Sequence, residues 1–361
     1  PLIHGNDGGR YLQTYGLNIA RTPDGAWTNW SINRMMIAGP DRLSCLIPAP
    51  QHLGIIRARW AQRGVPMPIA VAIGVEPGLP YAGAMPLPEG ADEAEFLGAY
   101  FGEPLELVRA ETVDLAVPAT AEIVVEGHVS VDPADLAPEG PMNEYPGYNA
   151  YEEAPKPVLH VSAVTYRDGA ILPVVAAGPP VEEDHTGTGT MHAAEILYQL
   201  RRADLPVSSC WFSYESALHW LIVAVRTDWH ERLGLSSPEL AERIGEVVFT
   251  GKAGFGVPKV LLVEDDVDIT DVSEVVWAFA TRAHPTHGEV RFPDRPTAAL
   301  SVYLDEQEMH SYRAGKVIHN CLLADRFTDS PRPVKGSFEN GWPVDVQKRV
   351  LAGWQAYGYR R

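Results

Sequence analysis

Cysteine is scarce in this sequence. Its 361 residues include three cysteines, Cys45, Cys210 and Cys321, and none of them has the Cys-x-x-Cys or Cys–His spacing of a metal site. An odd number of widely separated cysteines argues against a disulfide framework. We therefore expect a reducing compartment, by default the cytoplasm.

The sequence also lacks long apolar runs and an excess of basic residues. No stretch approaches the roughly eighteen consecutive apolar residues of a membrane span, and the first residues, PLIHGNDGGR, lack the basic start and apolar core of a secretion signal. Lys and Arg number 29 against 47 Asp and Glu, and the resulting net charge of −18 opposes binding to nucleic acid or anionic lipid. We expect neither a membrane nor a nucleic-acid partner. The start at Pro1 rather than Met suggests a processed or truncated chain.

The pattern of apolar residues predicts two domains. Hydrophobic residues make up 45% of the chain, which is typical of a folded globular protein. Up to about residue 180 the chain is rich in Gly and Pro and its apolar runs are short, which predicts a β-rich domain with two or three helices. From about residue 190, longer helical patterns alternate with β-branched runs, which predicts an α/β domain. We expect a closing helix over VDVQKRVLAGWQAYGY.

The segment from Asp24 to His52 is the first candidate for a functional site. It brings Asn29, Arg34, Gln51 and His52 to the ends of strand-like runs, where side chains can converge on one pocket. Its spacing matches no short general motif. From these residues alone, Arg34 as a surface ion-pair residue and His52 as a loop or capping residue remain open.

Two acidic segments are further candidates. Glu139 and Glu144 are separated by a Gly-Pro turn that can aim both carboxylates at one cavity, where repulsion and burial would make one of them a proton donor. The alternative is that both are solvated loop acids.

In DEAEFLGAYFG, Asp92, Glu93 and Glu95 occupy the first turn of a predicted helix, where capping alone would explain them. The alternative is a metal ligand, because a carboxylate, a carboxamide and an imidazole together suit Mn²⁺ or a similar ion.

One glycine-rich run receives no role from its sequence. GKAGFGVPKV follows a predicted helix and lacks the GKS or GKT of a phosphate-binding loop, so neither that loop nor a dinucleotide fingerprint is assigned to it.

Read in order, the segments resemble the UbiD family of reversible decarboxylases, and most closely its ferulic (phenylacrylic) acid decarboxylase branch. The resemblance covers essentially the whole chain. It is carried by DGGRYLQTYGLNI, TNWSINRMM, PQH, AMPLPEGADEAEFLGA, ETVDLAVPATAEIVVEG, EGPMNEYPGY, SAVTYRDGAILPV, EDDVDITDVSEVVWAFATR, GKVIHNCL and WQAYGY.

The resemblance implies an α/β (α+β) fold. A split β-barrel-like flavin-binding domain would span residues 1–185, an α/β oligomerisation domain residues 186–330, and a C-terminal segment with the closing helix residues 331–361. Chains of the family carry a further N-terminal α/β region ahead of the point where this sequence begins.

The resemblance also implies a function. The protein would be a reversible, non-oxidative decarboxylase of an α,β-unsaturated or (hetero)aromatic carboxylic acid. In this family prenylated FMN adds covalently to the substrate and accepts the electrons left when carbon dioxide departs. Arg34 would hold the substrate carboxylate, Glu139 would keep Arg34 in place, and Glu144 would deliver the proton that replaces carbon dioxide. A flavin prenyltransferase would supply the cofactor, and the assembly would be a homodimer or higher homo-oligomer.

Binding residues follow from the same matches. Asn29, His52 and Glu93 match the positions that hold a divalent metal, usually manganese, against the flavin phosphate. A potassium site built largely from carbonyls would lie near Trp30, Ala82 and Met85. The matching cofactor-binding positions are Asn29, Trp30, Ser31, Ile32, Asn33, Arg34, Gln51, His52, Met85 and Lys316, the last as a point charge for the phosphate.

The substrate pocket departs from the phenylacrylic branch. Pro48, Tyr145 and Thr188 stand where bulkier aliphatic or Met side chains are usual, and His185 is nearby. A more polar pocket is implied, which suits a heteroaromatic or more oxygenated acid as well as a cinnamate-like one.

Two alternative functions remain open. One is a catalytically inactive scaffold that binds flavin and metal. The other is a metal-dependent hydrolase that uses Asn29, His52 and Glu93 as ligands and Glu144 as base.

Overall fold

The computed structural model describes residues 1–149 and 153–360. Within these ranges an antiparallel sheet of nine strands is followed by a mixed sheet of five strands, with helices on the faces of both. None of the helices in the described ranges is long and apolar enough to cross a bilayer.

The first sheet has the strand order β1-β4-β5-β11-β9-β6-β2-β3, with β10 paired to β11. It curls into a half-barrel, and a short ribbon of β7 and β8 lies beside it. The strands are β1 (Tyr11–Gln13), β2 (Gly16–Arg21), β3 (Thr28–Ser31), β4 (Met35–Gly39), β5 (Arg42–Cys45), β6 (Met67–Ile73), β7 (Leu107–Arg109), β8 (Ala116–Pro118), β9 (Ile123–Val129), β10 (Leu136–Glu139) and β11 (Ala154–Tyr166).

Helices cover both faces of this sheet because strand β6, MPIAVAI, is apolar on both of its faces. Ile69, Val71 and Ile73 pack with helix α1 (His52–Gln62) in one cluster. Ala70 and Ala72 pack with helices α2 (Gly78–Ala84) and α3 (Glu93–Phe101) in another. Burial of each large aliphatic side chain contributes about 1.5–3 kcal/mol. The packing therefore fixes the N-termini of α1 and α3 on opposite sides of the terminal strand β3.

The second sheet has the order β12-β13-β14-β16-β15, with β13, β14 and β16 parallel. Its strands are β12 (Val207–Phe212), β13 (Trp220–Val225), β14 (Lys259–Glu264), β15 (Glu289–Pro296) and β16 (Arg313–Asn320). Its helices are α4 (Glu183–Arg202), α5 (Trp229–Leu233), α6 (Ser237–Thr250), α7 (Val272–Arg282) and α8 (Glu306–Ser311). One cluster buries α4 and α6 against one face, and a second cluster buries α7 against the other. The alternation of helices and β-branched strands thus forms the α/β unit that the pattern predicts.

The C-terminal segment carries α9 (Phe338–Gly341) and α10 (Val344–Ala352). The closing helix predicted over VDVQKRVLAGWQAYGY therefore ends at Ala352, before Gly353, and the remainder forms turns. Glycine's low helix propensity accounts for this earlier end.

Candidate active site

Three side chains from three elements meet at the edge strand of the first sheet. Asn29 lies on β3, His52 is the first residue of α1, and Glu93 is the first residue of α3. The Asn29 Nδ2 group donates to Glu93 Oε1 at 2.8 Å and lies 3.4 Å from His52 Nδ1. The Trp30 N–H donates to Glu93 Oε2 at 2.7 Å. The structure thus brings the expected metal-ligand set together.

Asp92 and Glu93, at the start of α3, have different roles. The carboxylate of Asp92 accepts the N–H groups of Ala94 and Glu95 and so caps the helix. The Glu93 side chain, 2% exposed, turns instead toward β3. Capping therefore explains Asp92, whereas the buried carboxylate of Glu93 belongs to the site.

The electrostatics of this cluster suit a cation. Burial raises the pKa of Glu93 to about 7, because a carboxylate loses its hydration there. Burial, together with the Lys252 ammonium, lowers the pKa of His52 to about 4, so the imidazole is neutral and keeps a lone pair. The Asn29 Oδ1 atom is buried without a hydrogen-bond partner. A carboxylate, a neutral imidazole and a carboxamide oxygen are donor types that fit a divalent ion, provided that the Asn29 amide turns its unpaired Oδ1 atom, rather than Nδ2, toward the other two.

The described residues contain no group of three or more His, Cys, Asp or Glu side chains that could hold a metal. The cluster at β3 includes only one carboxylate and one imidazole, and its third donor is an amide.

Lys252 joins this cluster from the second domain. It lies in the turn Lys252–Gly254 after α6, and its Nζ atom is 3.0 Å from His52 Nε2 and donates to the Leu87 carbonyl at 2.7 Å. Burial lowers the pKa of the Lys252 ammonium. Sequence reasoning missed this residue. The glycines on either side of Lys252 give no signal for this contact, because Cβ atoms at Gly251 and Gly254 would meet Gln199 and Val248 of the same domain.

Lys316, the expected phosphate ligand, contacts backbone carbonyls of the second domain. Its Nζ atom donates to the carbonyls of Gly254 and Phe255 at 3.1 and 2.8 Å, and burial lowers its pKa to about 7. The side chain therefore supports the loop that carries Lys252.

A second cluster surrounds Arg34, which lies between β3 and β4. Its Nε atom donates to Glu139 Oε1 at 2.8 Å, its Nη2 atom to Glu139 Oε2 at 3.2 Å, and its Nη1 atom to Glu144. The Arg34, Glu139 and Glu144 side chains are 12%, 2% and 15% exposed. Arg34 is therefore not a surface ion-pair residue, and the two acids are not solvated loop residues.

Tyr11 completes this second cluster. Its hydroxyl donates to Glu139 Oε1 at 2.7 Å, and burial together with that hydrogen bond raises the pKa of the phenol. A single tyrosine at the start of a short strand has no local pattern that marks it as part of a site, so the sequence did not reveal it.

The segment from Asn29 to Arg34 links the two clusters. Asn33 Nδ2 donates to Gln51 Oε1 at 2.8 Å and to the Leu46 carbonyl at 3.1 Å, while Ser31 Oγ donates to Asn33 Oδ1 at 3.0 Å. These bonds fix the backbone between the metal-ligand set and the guanidinium.

The remaining expected cofactor positions lie nearby. A Cβ atom added at Gly83 in α2 would lie 3.7 Å from the Ile32 side chain, so α2 runs close to the linking segment. The Met85 N–H donates to the Ala82 carbonyl at 3.1 Å where this helix ends.

The expected substrate-pocket residues are divided between the two domains. Pro48 precedes α1 and its carbonyl accepts the Gln51 N–H at 3.1 Å. Tyr145 follows Glu144, and its ring centroid lies 6.2 Å from that of His185. Thr188 and His185 lie on α4. His185 is fully buried, and both of its ring nitrogens contact backbone groups.

A separate cavity of about 410 Å³ lies beside the Glu144 loop. Its lining includes Pro146, Tyr148, His219, Lys259 and Tyr303. None of the residues expected in the site lines it.

Comparisons with known proteins identify the family of this chain. Residues 1–180 match the family model of the 3-octaprenyl-4-hydroxybenzoate carboxy-lyase Rift-related domain, and residues 185–321 match that of the C-terminal domain of the same enzyme. Pyrrole-2-carboxylic acid decarboxylase of Pseudomonas aeruginosa is 42% identical over 359 residues, which are 99% of this chain and 72% of that protein. Ferulic acid decarboxylase 1 of Saccharomyces cerevisiae is 36% identical, over 100% of this chain and 72% of its own length.

Solved structures show the same likeness. The UbiD-class enzyme HmfF from Pelotomaculum thermopropionicum, solved in complex with FMN, superposes with a TM-score of 0.79 at 30% identity, over 97% of this chain and 73% of that one. These matches confirm the expected fold class, a half-barrel β domain followed by an α/β domain. The chain belongs to the UbiD family of carboxy-lyases.

Proposed function

We propose that this protein is a prenylated-FMN-dependent decarboxylase of an α,β-unsaturated or heteroaromatic carboxylic acid. The observation that carries the proposal is the buried Arg34 guanidinium between Glu139 and Glu144, joined by residues 29–34 to a cluster that suits a metal. The relatives named as pyrrole-2-carboxylic acid and ferulic acid decarboxylases support the reaction class, and HmfF, solved with FMN, supports a flavin.

Arg34 would bind the substrate carboxylate. Its two bonds to Glu139 hold the plane of the guanidinium, and the Tyr11 hydroxyl occupies a further lone pair of Glu139. Because Glu139 is thereby fixed as an acceptor, it serves as the positioning residue for Arg34.

Glu144 would act as the acid. When a substrate carboxylate arrives, three carboxyl groups surround one guanidinium, and their repulsion favours the uptake of a proton by one of them. Glu144 is the more exposed of the two glutamates and contacts Arg34 through one oxygen only. It would therefore take up this proton and deliver it to the carbon that has lost carbon dioxide.

Asn29, His52 and Glu93 would hold Mn²⁺ beside the flavin phosphate, and Lys252 would contact that phosphate directly. A phosphate dianion in a chain of net charge −18 needs such local positive charge. When bound, prenylated FMN would supply the electron sink for the carbanion that decarboxylation leaves. A potassium ion near Trp30, Ala82 and Met85 belongs to the same proposal.

The substrate would be a small heteroaromatic acid. Tyr145 and Thr188 bring hydroxyl groups, and Pro48 a small ring, to positions where the phenylacrylic branch usually has aliphatic or Met side chains, and the relative at 42% identity is named for pyrrole-2-carboxylic acid. The proposal also includes a flavin prenyltransferase as the supplier of the cofactor, a homodimeric or larger assembly, and a cytoplasmic location. The relatives named as decarboxylases favour a catalytic protein over an inactive scaffold.

The test is the identity of the bound cofactor. The protein is co-expressed with a flavin prenyltransferase, and the released cofactor and metal are measured by mass spectrometry and elemental analysis. We expect the mass of prenylated FMN and about one manganese per chain. In the same measurement, Glu93→Gln should lose its manganese. The exposed Glu95→Gln variant, which should keep it, is the matched control. Metal-dependent turnover without any flavin would instead favour the hydrolase.

A further inference from the structure

The loop that carries Glu144 fixes its own shape through backbone bonds. The Glu144 N–H donates to the Tyr148 carbonyl at 3.1 Å, and the Gly147 N–H donates to the Glu144 carbonyl at 2.8 Å. These bonds close a turn on itself. They do not determine where the turn lies relative to the rest of the protein.

His185 holds this turn from the second domain. It is the third residue of α4, it is fully buried, and its Nε2 atom lies 2.8 Å from the Tyr145 carbonyl oxygen. Because a carbonyl oxygen only accepts hydrogen bonds, Nε2 carries the hydrogen. The Nδ1 atom accepts the Glu182 N–H at 3.0 Å. Two backbone groups therefore occupy both ring nitrogens.

The Glu182 side chain lies beside the same ring, with its Oε1 atom 3.0 Å from Nδ1. The contacts of His185 therefore leave no ring nitrogen for a substrate.

We infer that His185 is a positioning residue, which holds the acid Glu144 in place through the Tyr145 carbonyl and does not contact the substrate. The inference rests on the proposed function, in which Glu144 protonates the product. Proton delivery depends on the distance between the acid and the carbon, and a shift of about 1 Å can cost on the order of 100-fold in rate. Binding of the substrate carboxylate by Arg34 does not depend on this bond.

Two amide variants isolate the bond. The amide nitrogen of His185→Gln reaches the position of Nε2 and can donate to Tyr145, whereas that of His185→Asn is too short to do so. We expect His185→Asn to lower kcat about 100-fold with KM, flavin content and manganese content unchanged. His185→Gln should retain most of the wild-type kcat. In single-turnover experiments with His185→Asn, carbon dioxide release should stay fast while product protonation slows.

Hydrogen–deuterium exchange tests the same contact without turnover. Residues 141–149 should exchange faster in His185→Asn and at the wild-type rate in His185→Gln, with α6 as the folding control. Equal exchange in both variants would overturn the inference even if no acid is decarboxylated, in which case the proposed function fails separately. A raised KM with unchanged kcat in His185→Asn would also overturn it, because that result would mean that the ring binds substrate.

Discussion

The ion pair between Arg34 and Glu139 supports a quantitative prediction. The two side chains are 12% and 2% exposed, and both Glu139 oxygens accept from the guanidinium. Breaking a buried pair by removing one partner costs about 3–5 kcal/mol, because the remaining charge is left without compensation. Glu144 still faces Arg34 in Glu139→Gln, so we expect the lower end, about 3 kcal/mol of unfolding free energy.

The measurement is urea denaturation of wild type, Glu139→Gln and the exposed control Glu103→Gln, which should lie within about 0.5 kcal/mol of wild type. The single variants Arg34→Met and Glu139→Leu and the double variant Arg34→Met/Glu139→Leu form a separate cycle. The double variant removes both charges, and we expect it to be less destabilised than the sum of these two single variants. The account of this pair is wrong if Glu139→Gln is as stable as Glu103→Gln, or if the two changes are additive.

Three further predictions concern the site. Glu144→Gln should keep its flavin and manganese but lose turnover, and a fully active variant would remove Glu144 from the role of acid. Glu93→Gln should lose bound manganese, measured by elemental analysis, while the exposed Glu95→Gln keeps it; equal metal contents would contradict the ligand set. Lys252→Met should weaken FMN binding by roughly 10-fold or more, since one charged contact is worth about 1.5–3 kcal/mol. Riboflavin lacks the phosphate, so its affinity should not change, and an equal loss for both ligands would refute a phosphate contact.

The sequence predicted the parts of the site that follow from local patterns. The acidic first turn of α3 predicted a helix start, and the structure begins α3 at Glu93. The local pattern alone could not assign Asp92 to capping and Glu93 to the site, because that choice depends on which carboxylate faces β3. The roles of Asn29, His52, Glu93, Arg34 and Glu144 came from the family resemblance, which the comparisons confirm at the level of the family.

Local sequence patterns could not predict contacts between residues that are far apart in the chain. Lys252 lies 200 residues after His52, and its contact exists because the second domain packs its glycine-rich turn against the first. The His185 side chain was expected near the substrate, yet both of its nitrogens bond to backbone groups, one of them 40 residues away. Such contacts follow from tertiary packing, which spacing along the chain does not encode.

The most direct test of the central claim is decarboxylation itself. Protein loaded with prenylated FMN is incubated with pyrrole-2-carboxylic acid and with cinnamic acid in D₂O, and carbon dioxide and product are measured. We predict carbon dioxide release with one deuterium at the carbon that lost the carboxylate, and a higher kcat/KM for the heteroaromatic acid. Absence of carbon dioxide from both acids, with prenylated FMN and manganese bound, would contradict the account.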